Sequence, residues 1–136
     1  MSKAESKGKK AGTDPFGELP AAIQQAARAA QDKKANDVAV LDIRGVSSFT
    51  DYFLICSGLN LRQVKAIADA VEETLLKARE KPAHVEGYAR ADWVLLDYFD
   101  FIVHVFTPAT REFYALERLW GSAWRIDVPE PSRTGR

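Results

Sequence analysis

The 136-residue sequence is poor in the side chains that form disulfides and metal sites, with one cysteine and two histidines. Cys56 cannot pair within the chain, and its position in the apolar run 52–56 predicts a buried small hydrophobe, as suits a reducing compartment. His84 and His104 are twenty residues apart, which is not the spacing of a metal site. The sequence therefore predicts neither a structural disulfide nor a bound metal.

Long apolar stretches and an excess of either charge are also missing. No segment approaches the roughly 20 apolar residues that a membrane helix needs, which excludes a membrane-spanning protein. The N-terminal lysines are not followed by the apolar segment of a signal peptide, and Glu5, Asp14 and Glu18 argue against a transit peptide. We therefore expect a cytoplasmic protein. The 19 basic and 19 acidic residues cancel, so a protein is a more probable direct partner than DNA or naked RNA.

Composition divides the chain into one domain with two tails. Residues 1–18 are rich in Lys, Gly and Ser and have almost no large apolar side chains, which predicts a disordered tail. Residues 125–136 contain Pro129 and Pro131 and are assigned to a second tail. The domain is expected to span residues 19–124, a length that supports a single core.

Hydrophobic periodicity predicts an α/β domain in the order αββαβββα, with helices packed on a mixed five-stranded sheet. A first helix begins at Pro20 and runs to about Lys34. Asn60 and Gln63 resemble a capping box that starts the central helix, which ends near residue 81. Thr107 and Pro108 begin a last helix, with Phe113, Leu116 and Trp120 on one side. The strand-like segments are residues 38–41, 52–56, 84–88, 93–98 and 101–106.

The last two strand-like segments are separated only by Phe99 and Asp100, the length of a tight hairpin loop. The resulting register pairs Tyr98 with Phe101 and makes one face apolar, through Val94, Leu96, Val103 and Val105. The opposite face places Trp93 across from Phe106, Leu95 across from His104, and Asp97 across from Ile102. We call this second set the mixed face.

The composition of the mixed face allows two interpretations. Aromatic side chains with a few polar groups are typical of a binding patch, in which the aromatic rings supply contact area and the polar groups fix orientation. Alternatively, another element of the chain covers this face, and His104 and Asp97 satisfy each other. Composition alone does not favour either.

Several blocks of the sequence, in order and with consistent spacing, resemble the RsfS (Iojap) family of ribosomal silencing factors. They are Phe49–Gly58, Arg62–Val64 with Ile67–Asp69, Glu86–Gly87, Trp93–Tyr98, Val103–Phe106, Arg111–Tyr114 and Leu116–Trp120. The resemblance as a whole covers roughly residues 19–122. A chain of blocks is more specific than any short motif.

The resemblance implies a nucleotidyltransferase-like fold, a homodimeric tendency and no enzymatic activity or cofactor. It also implies binding to the large ribosomal subunit through ribosomal protein uL14, at the subunit interface, so that the small subunit cannot join and translation is repressed. The positions that match the partner-facing surface of the family are Trp93, Leu95, Asp97, Tyr98, Asp100, His104 and Phe106. Most of them lie on the mixed face, whereas the register turns Tyr98 inward.

One departure from the family pattern falls at the hairpin tip. The family has Asp-Tyr-Gly-Asp, whereas this chain has Phe99 in place of the glycine. Glycine adopts the positive φ of a tight hairpin turn readily and phenylalanine does not. We therefore expect a longer turn here, which affects the orientation of Asp100. An exposed Phe99 could alternatively add a contact to the partner.

Two other functions remain as alternatives. A nucleotidyltransferase-like enzyme is suggested by Ser57 and Gly58, which follow a strand and precede a helix, but its metal needs two converging carboxylates. Asp97 and Asp100 straddle a turn, and Asp42 is unrelated to them. The other alternative is a dimerisation module, which would use the mixed face for self-association.

Overall fold

A computed structural model describes residues 14–131. The outer parts of the two predicted tails, residues 1–13 and 132–136, lie outside the described residues. The secondary structure consists of a 3-10 turn (Phe16–Glu18), four helices and six strands. In chain order these are α1 (Ala21–Asp32), β1 (Asn36–Asp42), β2 (Tyr52–Ser57), α2 (Leu61–Lys77), β3 (His84–Glu86), β4 (Trp93–Asp97), β5 (Phe101–Phe106), α3 (Pro108–Tyr114), α4 (Leu116–Leu119) and β6 (Trp124–Asp127).

The strands form one mixed sheet in the order β3-β4-β5-β2-β1-β6. Strands β2 and β5 are parallel, and the other neighbours are antiparallel. The predicted mixed α/β architecture is confirmed, but the sheet has six strands and not five.

The additional strand corrects the predicted C-terminal tail. Strand β6 pairs with β1, with Ile126 opposite Val40, and Ile126 and Val128 are buried. The alternation of Trp124, Ile126 and Val128 with charged residues is the period-two pattern of a strand with one buried face. Residues 125–127 therefore belong to the sheet and not to a tail.

The two longer helices cover one face of the sheet. In α2 the residues at helical spacing are buried against this face, as predicted: Val64, Ile67, Ala68, Val71 and Leu75. The predicted helix start is also confirmed, because Asn60 Oδ1 accepts a hydrogen bond from the Gln63 amide at 2.9 Å. The Gln63 side chain accepts from the Leu59 amide at 2.7 Å, one residue before the position that a capping box uses.

The inner end of the predicted N-terminal tail is ordered against this same layer. Phe16 is buried, and the Arg28 guanidinium lies 4.8 Å from the centroid of its ring. Leu19 is buried beside it. Burial of one aromatic ring offsets the entropy of ordering a short turn, so the prediction of a tail through residue 18 was wrong for residues 14–18.

The predicted last helix is interrupted. Ala115 has a φ of 48°, in the left-handed region, and separates α3 from the four-residue α4. Pro108 lies in the first turn of α3 as predicted. The break rotates the two segments, so Leu116 is buried whereas Phe113 is 80% exposed. The prediction of one continuous helix with both side chains on its inner side was therefore wrong.

Candidate partner-binding surface

The hairpin of β4 and β5 has the predicted register. Leu96 faces Val103, Val94 faces Val105, and on the other side Trp93 faces Phe106 and Leu95 faces His104. Four side chains of the first set are fully buried beneath α2: Val94, Leu96, Val103 and Val105. The division of the hairpin into an apolar core face and a mixed face is confirmed.

The hairpin tip differs from the prediction. The loop stays short because Phe99 adopts a φ of 72°, in the left-handed region, instead of lengthening the turn. The Phe99 amide donates to Asp97 Oδ1 at 2.9 Å, and the Asp100 amide donates to the Tyr98 carbonyl at 2.8 Å. Thr50 Oγ1 donates to the Phe99 carbonyl at 2.7 Å and ties the tip to the segment that precedes β2. The hydrogen bonds hold a conformation that costs a non-glycine residue about 1–2 kcal/mol.

His104 is the polar centre of the mixed face and is buried. Its Nδ1 accepts a hydrogen bond from Trp93 Nε1 at 3.1 Å, so the proton of the neutral ring resides on Nε2. Nε2 is buried and has no hydrogen-bond partner among the described residues. Burial lowers the pKa of His104 to about 3, which keeps the ring neutral at physiological pH.

Asp97 does not pair with His104, contrary to one interpretation of the sequence. Its carboxylate is used by the turn, as the acceptor for the Phe99 amide. The imidazole instead packs among aromatic rings, with the Phe53 centroid 4.6 Å away in an edge-on arrangement. The two polar groups of the mixed face therefore have separate roles in the free chain.

Part of the mixed face is covered by the chain itself. A second apolar cluster packs on this side of the sheet, away from α1 and α2. Its buried members are Leu41, Ile43, Phe53, Ile55, Ile102, Phe106 and Leu116, and Trp93, Leu95, Trp120 and Ala123 pack against them. Helix α4 contributes Leu116 to this second cluster. The cover that the second interpretation expects is thus present over the centre of the mixed face, whereas the margin of this face is accessible.

The predicted site residues consequently divide into two groups. Tyr98, His104 and Phe106 are buried, and Tyr98 stacks on Phe101 with ring centroids 5.0 Å apart on the core side. The others reach the surface: Trp93, Leu95 and Asp97 are half-buried, and Asp100 is exposed. The structure brings Trp93, Leu95, His104 and Phe106 together, whereas Asp97 and Asp100 lie towards the hairpin tip.

Exposed aromatic and aliphatic side chains that the sequence analysis did not assign to the site border the mixed face. We define Phe49, Phe113, Tyr114, Leu119 and Trp120 as the aromatic rim. Tyr114 lies 4.5 Å from Trp93 and Phe49 lies 6.2 Å from Trp120, measured between ring centroids. Phe49, Phe113 and Leu119 are each at least 60% exposed. All five belong to the blocks that resemble the family, and Phe113 and Trp120 were also expected on one side of the last helix.

An ionic network centred on the buried Arg111 fixes α3 and α4, which carry most of this rim. Arg111 donates to Ser57 Oγ at 2.9 Å and to Glu117 Oε2 at 2.6 Å, and Glu117 also accepts from Arg125 at 2.8 Å. The hydrogen bond from Arg111 is the largest cause of a lowered pKa at Glu117. The network joins β2, α3, α4 and β6, so the position of the rim is set by the sheet.

The geometry gives little support to an enzyme. Asp42 and Asp97 are on strands β1 and β4, three strand spacings apart, or roughly 14 Å. Carboxylates that share a metal converge within a few ångströms. Ser57 Oγ is occupied by Arg111, and burial raises the pKa of Cys56 to about 12. Among residues 14–131, no three His, Cys, Asp or Glu side chains are placed to hold a metal ion.

No helix between residues 14 and 131 is both long enough and apolar enough to cross a bilayer. The mixed face has a covered centre and an exposed aromatic margin. Exposed aromatic side chains of this kind are typical of surfaces that dock onto another macromolecule.

Comparisons with known proteins identify the family. The sequence profile of the family described as "Ribosomal silencing factor during starvation" (RsfS) matches residues 17–136. Ribosomal silencing factor RsfS of Bacillus subtilis is 44% identical over 106 residues, which are 78% of this chain and 90% of that protein. The factor of the same name from Halalkalibacterium halodurans is 41% identical over 106 residues, 78% of this chain and 91% of that protein.

A solved structure agrees with these sequence relatives. A crystal structure of a protein from Chromobacterium violaceum is similar with a TM-score of 0.74 and 33% identity, and the match covers 88% of this chain and 94% of that one. The chain therefore belongs to the ribosomal silencing factor family, as the resemblance predicted.

Proposed function

We propose that this protein is a ribosomal silencing factor that binds the large ribosomal subunit through ribosomal protein uL14 and prevents the small subunit from joining. The observation that carries the proposal is the family match across residues 17–136. A protein bound at the subunit interface represses translation by occupying space, so no catalytic group is required. Such a factor would act in the cytoplasm, where it meets ribosomes.

The margin of the mixed face supports a protein partner. Half-buried Trp93 and Leu95 lie beside exposed aromatic side chains of the rim, an apolar arrangement that a partner can desolvate. Asp97 and Asp100 add negative charge at the hairpin tip, and Asp100 is exposed. Ribosomal proteins are generally basic because they contact rRNA, so an acidic edge beside an apolar patch is complementary to such a protein.

The buried members of the predicted site act differently. His104 and Phe106 are inaccessible in the free chain, so they support Trp93 and do not contact the partner. The hydrogen bond from Trp93 Nε1 fixes the orientation of the indole, which reduces the entropy lost when the partner docks. The proposal includes a homodimer, in which a second copy of the chain would contact the aromatic rim.

The proposal is tested by pelleting the protein with purified large subunits and by following subunit association with light scattering. Wild-type protein should pellet with large subunits, not with joined ribosomes, and should lower the scattering increase when small subunits are added. The double variant Leu95→Ala/Asp100→Ala should lose more than about tenfold in affinity, since it removes an apolar and a charged contact. Equal recovery with joined ribosomes would contradict the block of subunit association.

A matched control separates binding from folding. Leu76→Ala/Glu73→Ala also removes one leucine and one carboxylate, but from the exposed surface of α2 on the other side of the sheet. It should bind as wild type. Binding that is lost equally in both double variants would argue against the mixed face, and sedimentation of the free variants reports whether either also changes dimerisation.

A further inference from the structure

We propose that the groove between the first turns of α2 and residues 87–91 binds the phosphate backbone of an RNA. This inference deepens the proposed function, on which its ribosomal setting rests. The groove has a volume of about 500 Å³ and carries three cationic side chains, Arg62, Lys65 and Arg90, against one acidic side chain, Asp69. The rest of its lining consists of Leu61, Tyr88 and three alanines.

The two cations on α2 lie on one face of the helix, three residues apart, so they point towards the same strip of solvent. Arg62 is exposed, and its side chain makes no ion pair or hydrogen bond with the residues that the structure describes. Arg90 lies across the groove, where its ionic partner within residues 14–131 is Asp92 at 3.2 Å, in a largely exposed pair. Exposed pairs of this kind are weak, so the guanidinium is free to exchange a carboxylate for a phosphate.

The middle cation is held in place. Lys65 Nζ lies 5.1 Å from the centroid of the Tyr88 ring, and Tyr88 Oη donates to Asp69 Oδ2 at 3.1 Å. The ring attracts the ammonium group through its negative face, and the hydrogen bond fixes the ring. Because a fixed cation loses less entropy on binding than a mobile one, this arrangement favours an anionic ligand.

The loop that forms the second wall is rigid for a steric reason. Gly87 has a φ of 81°, and a Cβ at this position would lie 2.0 Å from the Trp93 carbonyl oxygen. The Ala91 amide donates to the Gly87 carbonyl at 2.8 Å and closes the loop. Arg90 belongs to this loop and precedes Trp93, the first residue of β4, by three residues. The groove therefore borders the end of the mixed face at which Trp93 lies.

The positive charge of the groove contrasts with the charge of the surrounding domain. Six of the 19 basic residues but only one of the 19 acidic residues lie outside residues 14–131, so the described part of the chain is acidic. A local excess of cations on an acidic domain favours a specific anionic partner over general attraction to polyanions. Under the proposed function, the large subunit offers rRNA as an anionic partner of this kind.

The test uses fluorescence anisotropy of a labelled single-stranded RNA of twelve nucleotides with the full chain. Arg62→Gln/Lys65→Gln is compared with Lys77→Gln/Lys81→Gln, which removes the same charge at the last residue of α2, roughly 22 Å from Arg62, and in the loop that follows it. Both variants keep the N-terminal lysines, so any contribution of these lysines cancels. The groove variant should bind at least about tenfold more weakly than the control at low salt. The slope of log K against log salt should fall by about 1.4, from two contacts of about 0.7 each.

A third variant tests the placement of Lys65. Tyr88→Leu keeps every charge, so it should weaken RNA binding about threefold with an unchanged salt slope, because only the fixed position of the ammonium is lost. Equal RNA affinities for the groove variant and its control would overturn the proposal. The proposal would also be overturned if the groove variant lost large-subunit binding and kept its RNA binding. That result would indicate that the groove binds an acidic protein surface.

The outcomes separate this inference from the proposed function. Leu95→Ala/Asp100→Ala should lose large-subunit binding and keep its affinity for the RNA. If RNA binding is unaffected by the groove substitutions while large subunits still pellet with wild-type protein, the groove assignment fails and the silencing function stands. If large subunits do not pellet with wild-type protein at all, the proposed function fails whatever the RNA measurement gives.

Discussion

The buried imidazole of His104 predicts a loss of stability in mild acid. Burial lowers the pKa of His104 to about 3, whereas the unfolded chain titrates this group near 6.5. Between these values the unfolded state binds one proton more than the folded state, so stability falls as the pH is lowered. The effect is absent above pH 6.5 and grows as the pH falls towards 3. A protonated ring would also turn Nδ1 into a donor opposite the Trp93 N–H.

The size of this effect follows from proton linkage. One proton corresponds to about 1.4 kcal/mol per pH unit, so lowering the pH from 6.5 to 5 should reduce the free energy of unfolding by roughly 2 kcal/mol. Most carboxylates remain ionised above pH 5, which isolates the histidine in this window. Urea unfolding followed by tryptophan fluorescence at several pH values measures the change directly.

Two variants identify the group responsible. His104→Gln retains an oxygen that can accept from Trp93 Nε1 but cannot titrate, so its stability should be nearly constant between pH 6.5 and 5. His84→Gln removes the exposed histidine of β3 and should follow wild type. The reasoning is refuted if His104→Gln loses as much stability in this window as wild type does.

Two further substitutions and a pair of truncations test the fold. Phe99→Gly should raise the free energy of unfolding by about 1 kcal/mol, because glycine adopts a φ of 72° without strain and little apolar contact is lost from an exposed ring; a lower urea midpoint would contradict this. Removal of residues 1–13 should leave the melting temperature nearly unchanged, whereas removal of residues 1–18 should cost about 2 kcal/mol through the loss of the buried Phe16. Arg111→Ala should cost about 2 kcal/mol, since it removes the hydrogen bonds to Ser57 and Glu117 while Arg125 still pairs with the partly buried Glu117 carboxylate; a change below 1 kcal/mol in calorimetry would show that the network is dispensable.

Local patterns predicted the sheet and its central hairpin well. Alternation along residues 93–106 and a two-residue loop were sufficient to give each cross-strand pair, because a shift by one residue would expose the entire core face. The helical spacing of Val64, Ile67 and Val71 identified the buried side of α2 for a similar reason.

Features that depend on distant contacts were not predictable in this way. Phe16 is a lone aromatic in a polar stretch, and only the fold shows that Arg28 and α1 receive it. The break at Ala115 has no glycine or proline to signal it, and it decides that Leu116 covers the mixed face while Phe113 does not. The imidazole of His104 is buried among rings from three strands, those of Phe53, Trp93 and Phe106. The residues of the mixed face were thus predictable as neighbours, but their exposure was not.

The parallel pairing of β2 with β5 has a consequence for the folding rate. The hairpins β1–β2 and β4–β5 are local and can form early, but neither completes the sheet alone. Joining them requires closure of a long segment, as the hydrogen bond between Thr50 and Phe99 spans 49 residues. Loop-closure entropy must therefore be overcome before β2 and β5 pair and the sheet is complete, which predicts slow folding for a chain of this size. During synthesis, β2 cannot pair with β5 along its full length until residue 106 has left the ribosome.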